Sequence, residues 1–481
     1  MIEAWNVPDV YAAEAALMAT LPEGELMARA VTRLTAVAEA RLAERGGSVV
    51  AALVGPGNNG ADALYTAARL AQSGHRVRAV TTATVHPGAL EAATAAGVVI
   101  GTDPGLVAGA DVVLDGVLGI GGRPGLPGWA RPWLDAVPDA AYVIAVDLPS
   151  GQDPAGVVVD ADGVFADETV TFSAAKPVHL LPGTAAAVGR LTIVDIGLEM
   201  ETAPSVVRLT PLDVPSLWPV PGPDDDKYTR GVLGVVAGGE SYTGAPVLAC
   251  TAAVSCGVGM VRYVGTPTPE DVVRRAVPEA VHGPGRVQAW VIGPGLDVAS
   301  RARGAKAQLD VAREALASDA PVLLDAGGLD LLTRRRTAPT LLTPHAGECA
   351  RLLTRLGGTD VTPEAVKASP LAFARRLAER TGATVLLKGS TTLVVPPDDG
   401  PVYSQADAPA WLATAGAGDV LAGVAGTLLA AGLQPGAAGA LAALVHGTAA
   451  ETANAGGPVR ALAVAEALPR TVARLLTATA N

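Results

Sequence analysis

The stretch TAGAGDVLAGVAGTLLAAG places Gly416 and Gly418 at the opening of a long apolar helix, with Asp419 in its first turn. Glycines there let several backbone N–H groups converge on a phosphoryl oxygen at the positive helix end, and a carboxylate beside them can take the proton of an attacking hydroxyl. An acidic N-terminal helix cap leaves the same trace, so the neighbouring motifs carry the distinction. LLKGSTTLVV joins two strands through Lys388, Gly389, Ser390, Thr391 and Thr392, a turn able to present a cation and hydroxyls to a phosphate or ribose, or else a plain hairpin. LLTPHAGECARLL puts His345 and Glu348 at another strand exit, with Pro344 suited to a helix start. WVIGPGLD carries Gly293 and Gly295 beyond a strand, and GVVAGGESYTGAPVLA carries Gly238, Gly239, Tyr242 and Ala245 beyond another. Glycine-rich exits of this kind admit a ligand close to the backbone, or simply turn the chain.

A second constellation lies in the first half. Gly55, Gly57 and Gly60 of GPGNNGADAL satisfy GxGxxG, but a dinucleotide fingerprint also needs an acid about 20 residues on, at the end of the next strand. That strand ends in RAVTTATVHPG, without one, and the dehydrogenase reading loses ground. What stands instead is Asn58, Asn59 and Asp62 in a glycine turn entering a helix, where N–H groups can hold an anion while side-chain oxygens face a ligand or cation. Asp115 in LDGVLGIGGRPG, and Asp147 with Ser150 in VDLPSGQD, sit at two further strand exits. Hard oxygen donors from Asn59, Asp115 and Ser150 suit a cation such as potassium, leaving Asp147 for proton transfer. Each motif read singly is also an ordinary turn.

These motifs need strands and helices in alternation. Val10 to about Arg45 reads as helical, with Leu17, Met18, Leu21, Leu26, Met27, Val31 and Leu34 at three- and four-residue spacing. Val49 to Val54, Val77 to Val80, Asp111 to Leu114 and Tyr142 to Val146 then read as buried strands separated by helical crossovers, a doubly wound parallel sheet. A second series follows: Gly231 to Ala237, Ala289 to Gly293, Pro321 to Asp325, Thr384 to Lys388 and Thr392 to Val395 as strands, with Asp419 to His446 as packed helices. Between about Thr202 and Asp226 repeated prolines forbid regular ladders, and an acidic run closes the segment. The expected division is therefore a domain over 1–205, a linker over 206–226 and a second domain over 227–481.

Bulk properties narrow the function class. The 481 residues exceed what one core usually covers, and 49% hydrophobic with 17% charged residues excludes general disorder. A net charge of -12 without a basic block, and 3% aromatic residues, argue against a nucleic-acid partner. No apolar stretch approaches the roughly 20 residues of a membrane span, and the opening MIEAWNVPDV lacks the features of a signal peptide, so a cytoplasmic protein with no membrane partner is expected. Cys250, Cys256 and Cys349 lack CxxC spacing and read as buried small hydrophobes.

In combination, NNGxD, the Asp-bearing glycine loop and D-[IL]-P-S-G resemble the NAD(P)H-hydrate epimerase domain over roughly residues 10–200. The resemblance implies that Asn58, Asn59, Gly60, Ala61, Asp62, then Gly119, Ile120, Gly121, Gly122, Arg123, Pro124 and Gly125, and Asp147, contact the hydrated nicotinamide nucleotide. It gives Asp147 the proton transfer, and Asn59, Asp115 and Ser150 a potassium ion. Where the family's turn usually reads NNGGDG, Ala61 and Ala63 replace two glycines. GGxxYxGA, IGPGL, TPHxGE, LKGxxT and TAGxGDVLAG, in that order over about residues 225–475, resemble the ADP- or ATP-dependent NAD(P)H-hydrate dehydratases, a branch of the ribokinase-like α/β fold. This implies substrate contacts from Ala245, Gly295, His345 and Asp419, the last as general base. Nucleotide contacts would come from Lys388, Gly389, Ser390, Thr391, Thr392 and Gly418. One departure is LDAGGLDLL, where the family commonly has LDADAL, so that Gly328 or its neighbour replaces a second acid. The substrates implied are NADHX and NADPHX, with ADP as donor, ATP as the alternative donor, Mg2+ and K+ as ions, and a homo-oligomeric state. A ribokinase-like small-molecule kinase with a non-catalytic N-terminal nucleotide-binding module is the competing reading.

Overall fold

The structure is a computed structural model that describes residues 1–158, 162–357 and 359–479. The chain forms two compact units, one of residues 3–206 and one of residues 1–2 with 207 onward. In the first, seven strands pair in the order Val99–Gly101, Arg76–Thr81, Val49–Val54, Val112–Gly116, Tyr142–Val146, Glu168–Phe172, Arg190–Val194, every pair parallel. All six residues of VVAALV are buried, because both faces are covered. Val50, Ala52 and Val54 enter one core with Leu34, Ala38 and Leu64, whereas Ala51 and Leu53 enter another with Val107 and Trp133. This is the doubly wound α/β sheet that the strand spacing predicts.

The helical reading of Val10 to Arg45 resolves into two helices, Val7–Met18 and Glu25–Arg45. Pro22 and Gly24 explain the break, since proline lacks the N–H to continue a ladder and Gly24 adopts a left-handed φ of 79°.

The larger sheet has eleven strands. Its parallel body runs Met260–Val264, Val232–Val236, Ala289–Ile292, Val322–Leu324, Thr340–Leu342, Thr384–Leu387, and Thr392–Val395 and Val402–Gln405 then continue it antiparallel. Gly244–Ser255, Ala417–Ala430, Pro435–Ala453 and Ala461–Leu476 pack as helices whose alanines and leucines are buried in one shared core. Small side chains bring these helices close: a Cβ on Gly423 would lie 2.3 Å from the Ala249 carbonyl oxygen.

The proline-rich segment is not free of ladders. Val206–Arg208 is a three-residue strand between Pro204 and Pro211, and Leu209 N–H donates to Gln405 Oε1 at 2.8 Å. The prolines limit the strand's length rather than forbid it. Cys250, Cys256 and Cys349 are all free and buried, and burial pushes the Cys250 and Cys349 thiols up to about 12. Among the described residues no helix is long and apolar enough to cross a membrane.

Candidate active sites

In the first unit the chain leaves Val49–Val54 toward one edge of the sheet and returns to its other side at Val112–Gly116. The carboxyl ends of these two strands therefore flank the switch point at which open α/β sheets bind ligands. A cavity of about 440 Å³ opens there. Its walls include Asn58, Asn59 and Asp62, the run Gly119–Gly122, and Asp147. Gly60 and Ala61 lie buried beneath the turn, and Arg123 and Pro124 are exposed beyond the lining. Two glycines of the turn serve packing: a Cβ on Gly55 would sit 2.0 Å from Val117 O, and one on Gly60 2.0 Å from Gly55 O, whereas one on Gly57 would meet nothing within 4 Å. Ala61 and Ala63, the two departures from the family turn, are accommodated at 1% and 0% exposure. Ala63 packs on the backbone of Gly116, where an added Cβ would lie 2.6 Å from its own.

Asn59, Asp115 and Ser150 come together. Asn59 Nδ2 donates to Leu118 O at 3.0 Å and Val146 O at 2.5 Å, turning Oδ1 toward Gly119. Ser150 donates to Asp115 Oδ1 through Oγ at 2.6 Å and to Oδ2 through its N–H at 2.8 Å. Burial pushes the fully enclosed Asp115 carboxyl up to about 6, against the pull of the Ser150 and Val117 hydrogen bonds. One buried carboxylate without a cationic side chain, among amide, hydroxyl and carbonyl oxygens, is a donor set that fits a single monovalent cation. Among the described residues no group of three or more His, Cys, Asp or Glu could hold a metal ion.

Asp147 sits at a tight turn with φ 67°. Parallel pairing of Val146 with Val170 brings Thr171 beside it. Thr171 Oγ1 donates to Asp147 Oδ1 at 2.9 Å, and the buried Lys176 Nζ donates to the same oxygen at 2.5 Å and to Thr171 Oγ1 at 3.0 Å. His179 Nδ1 accepts the Lys176 N–H at 3.0 Å, so Nε2 carries the proton that it donates to Asp147 O at 2.8 Å. Burial, helped by Lys176, pushes that imidazole down to about 4 and keeps it neutral. Asp62 lines the same cavity with Oδ1 buried and unpartnered, and burial, then Asp147 and Glu14, hold its carboxyl well above the usual range. Glu14 is raised too, by burial and Asp147 against Lys176. Thr171, Lys176, His179, Glu14 and Tyr11 escape sequence reading. The one local signal is a lone lysine in the apolar run AAKPVHLL, before a proline suited to a helix start.

In the second unit, His345 and Lys388 leave adjacent strands and pair as an isolated parallel bridge. Lys388 Nζ lies 2.8 Å from Asp325 Oδ1, which also accepts from Thr343 Oγ1 at 2.8 Å, and 3.8 Å from Glu348 Oε2. Burial opposes the Lys388 charge, but Asp325 and Glu348 outweigh it and raise the ammonium. A Cβ on Gly418 would lie 3.3 Å from that ammonium, so the glycine opening of Ala417–Ala430 abuts it. Burial, then the Asp325 carboxylate, push Asp419 up to about 7 against the pull of Lys388. His345 begins the helix Ala346–Gly357: its Nδ1 accepts from the N–H groups of Gly347 at 3.0 Å and Glu348 at 3.3 Å, and Glu348 Oε2 accepts the His345 N–H at 2.9 Å. Gly295, with φ 63°, lies against Ala245 and Tyr242, whose Cβ atoms are each 2.8 Å from where its own would be. Gly389 and Ser390 are exposed on the turn beside Lys388, with Thr391 and Thr392 half-buried.

The LDAGGL departure has a packing reason. Ala326–Leu331 lies so close to the IGPGL turn that a Cβ on Gly328 would be 2.2 Å from Ile292 O, and one on Gly327 2.0 Å from Leu296 O.

Two α/β units, each with a glycine-lined strand exit and an ionisable carboxylate facing it, define a chain with two small-molecule sites of the nucleotide-handling type. Residues 23–178 match the family model described as YjeF-related protein N-terminus, and residues 233–470 match that of NAD(P)H-hydrate dehydratase. The chain is 43% identical to the bifunctional NAD(P)H-hydrate repair enzyme Nnr of Mycobacterium leprae over 93% of both chains. It is 44% identical to the Mycobacterium tuberculosis protein of the same name over 91% of both. Among solved structures it is similar to an ADP/ATP-dependent NAD(P)H-hydrate dehydratase from Bacillus subtilis co-crystallized with ATP/Mg2+, at 26% identity and a TM-score of 0.48, covering 56% of this chain and 98% of that one. The chain belongs to the family of bifunctional NAD(P)H-hydrate repair enzymes.

Proposed function

We propose that the two units act in sequence on hydrated NADH and NADPH, as an isomerase and a lyase. The second unit dehydrates the S form using ADP, and the first interconverts R and S so that both are recovered. The observation that carries the dehydratase is Asp419, a half-buried carboxyl near 7 in the first turn of a glycine-opened helix. A base with that affinity changes protonation state at neutral pH, as proton removal from a hydroxyl requires.

Asp419 takes the proton of the ring hydroxyl as its oxygen attacks the terminal phosphoryl group of ADP, and AMP departs. The ring nitrogen lone pair then expels phosphate, and loss of a proton from the adjacent carbon restores the ring double bond. The chain's part is to place the ring against Gly295, Ala245 and His345 and the phosphoryl group at the Gly416–Gly418 N–H groups. Lys388 fills the space among Asp325, Glu348 and Asp419, so Mg2+ fits here as a partner of nucleotide phosphates, whose charge it would neutralise.

In the first unit the hydrated carbon bears both a hydroxyl and the ring nitrogen. Passing the hydroxyl proton to Asp147 lets that carbon become a carbonyl as its bond to nitrogen opens. Rotation and reclosure return the proton with inverted configuration, and nothing is oxidised or reduced. Asn59, Asp115 and Ser150 would hold K+, which would supply a fixed positive charge for an anionic substrate.

The test uses separated epimers of hydrated NADH with the purified full chain. Nucleotide-dependent recovery of reduced-nicotinamide absorbance from the S form, and faster-than-spontaneous recovery from the R form, are expected. Absence of recovery with both ADP and ATP defeats the dehydratase reading.

A further inference from the structure

We propose that Lys176 and Thr171 are positioning residues for the epimerisation assigned above to Asp147, an inference that rests on that reading. The two groups that hydrogen-bond the Asp147 carboxylate both take the same oxygen. Oδ1 accepts from Lys176 Nζ at 2.5 Å and from Thr171 Oγ1 at 2.9 Å, and those two groups hydrogen-bond each other at 3.0 Å, closing a triangle. Lys176 does not line the cavity and is 1% exposed, whereas Asp147 does line it. Oδ2 is therefore the oxygen left to face a substrate.

The backbone is held as firmly. A non-glycine residue at φ 67° persists when its surroundings over-determine it, and here His179 Nε2 grips the Asp147 carbonyl at 2.8 Å while the Asp147 N–H donates to Val170 O at 2.7 Å. His179 is itself oriented by the Lys176 N–H. One lysine thus anchors the side chain through Nζ and the main chain through its backbone.

The charges facing Asp147 make the lysine's role specific. Asp62 from the helix Asn58–Gln72 and Glu14 and Tyr11 from the helix Val7–Met18 all share the cavity, and none brings positive charge. Lys176 is the cationic side chain that hydrogen-bonds Asp147 where two other acids share the cavity. A substrate hydroxyl that reaches Oδ2 then meets an acceptor fixed in direction, which is what proton transfer at hydrogen-bond range needs. Lys176 acts through Asp147 and touches no reacting atom.

The experiment measures R-to-S conversion in the full chain, coupled to dehydration by the same molecule or by added Asp147→Ala chain, which dehydrates the S form but does not epimerise. Lys176→Met should lower kcat for epimerisation about 100-fold with KM changed less than about threefold, because the cavity lining is untouched. Thr171→Val should lower kcat about tenfold, and Thr171→Ser, which keeps the hydroxyl, should retain it. S-form dehydration in each variant should equal wild type. Unchanged epimerisation in Lys176→Met, or a parallel rise in KM with Thr171→Ser as impaired as Thr171→Val, overturns the proposal. Should Lys176→Met not yield a folded first unit, the Thr171 pair decides, since a full kcat in Thr171→Val defeats the triangle. Wild type that converts no R form defeats the epimerase reading itself, a separate outcome.

Discussion

At the residue scale the two carboxylates proposed to move protons have different neighbours: Asp147 is hydrogen-bonded by Lys176 and Thr171, and Asp419 faces Asp325 as well as Lys388. Asp419 has a neighbouring carboxylate and burial, which push it up to about 7. Since the ionised form is the base, dehydration should lose rate below about pH 7, tenfold per pH unit, and level off above it. Asp419→Ala should abolish turnover by at least about 1,000-fold. A pH profile of kcat/KM that stays flat between about pH 6 and 8 would remove Asp419 from that role. Asp147→Ala should leave the R form unconverted beyond its spontaneous rate while the S form is consumed normally, and equal consumption of both epimers by that variant excludes its role. The carboxylates at strand exits were legible from sequence because each is an acid among glycine, proline and serine immediately after an apolar run. Their partners were not. Lys388 meets Asp325 across 63 residues of chain, and Lys176 meets Asp147 across 29. Those meetings depend on which strands become neighbours, which no local spacing encodes.

At the element scale, the strand–turn–helix units were readable from their periodicity, and Val49–Val54 and Thr392–Val395 have the limits that the apolar runs predict. Shorter strands such as Thr340–Leu342, and the split of the first helix at Pro22 and Gly24, were less so, since a three-residue strand carries no period and a break needs only two residues. The turn alanines show how elements compensate. Ala63 occupies space that Gly116 leaves, and a methyl on Gly116 would also meet the Asn59 carbonyl at 2.7 Å. Gly116→Ala should therefore destabilise the first unit by about 1–3 kcal/mol and weaken epimerisation by shifting Asn59, measured by urea unfolding and R-form turnover. Wild-type stability and turnover in that variant would show the contact to be slack.

At the scale of the whole molecule, each unit has its own hydrophobic core, and the residues described for each candidate site come from one unit. On the proposed function, the S form made by the first unit would be released as a free nucleotide before the second unit takes it up. A mixture of the Asp147→Ala and Asp419→Ala chains should accordingly recover the R form about as fast as wild type at equal site concentration, as an absorbance assay would register. Recovery that stays far below wild type would mean that the two activities depend on sharing one chain. The chain has only five lysines, and three of them, Lys227, Lys306 and Lys367, are exposed. The remaining two stand one beside each candidate site, Lys176 sealed behind Asp147 and Lys388 held by Asp325. An amine-reactive label applied to the native protein will mark the three exposed positions first. Mass spectrometry of the other two during gradual denaturation then dates the opening of each site by a single reagent, without any substrate.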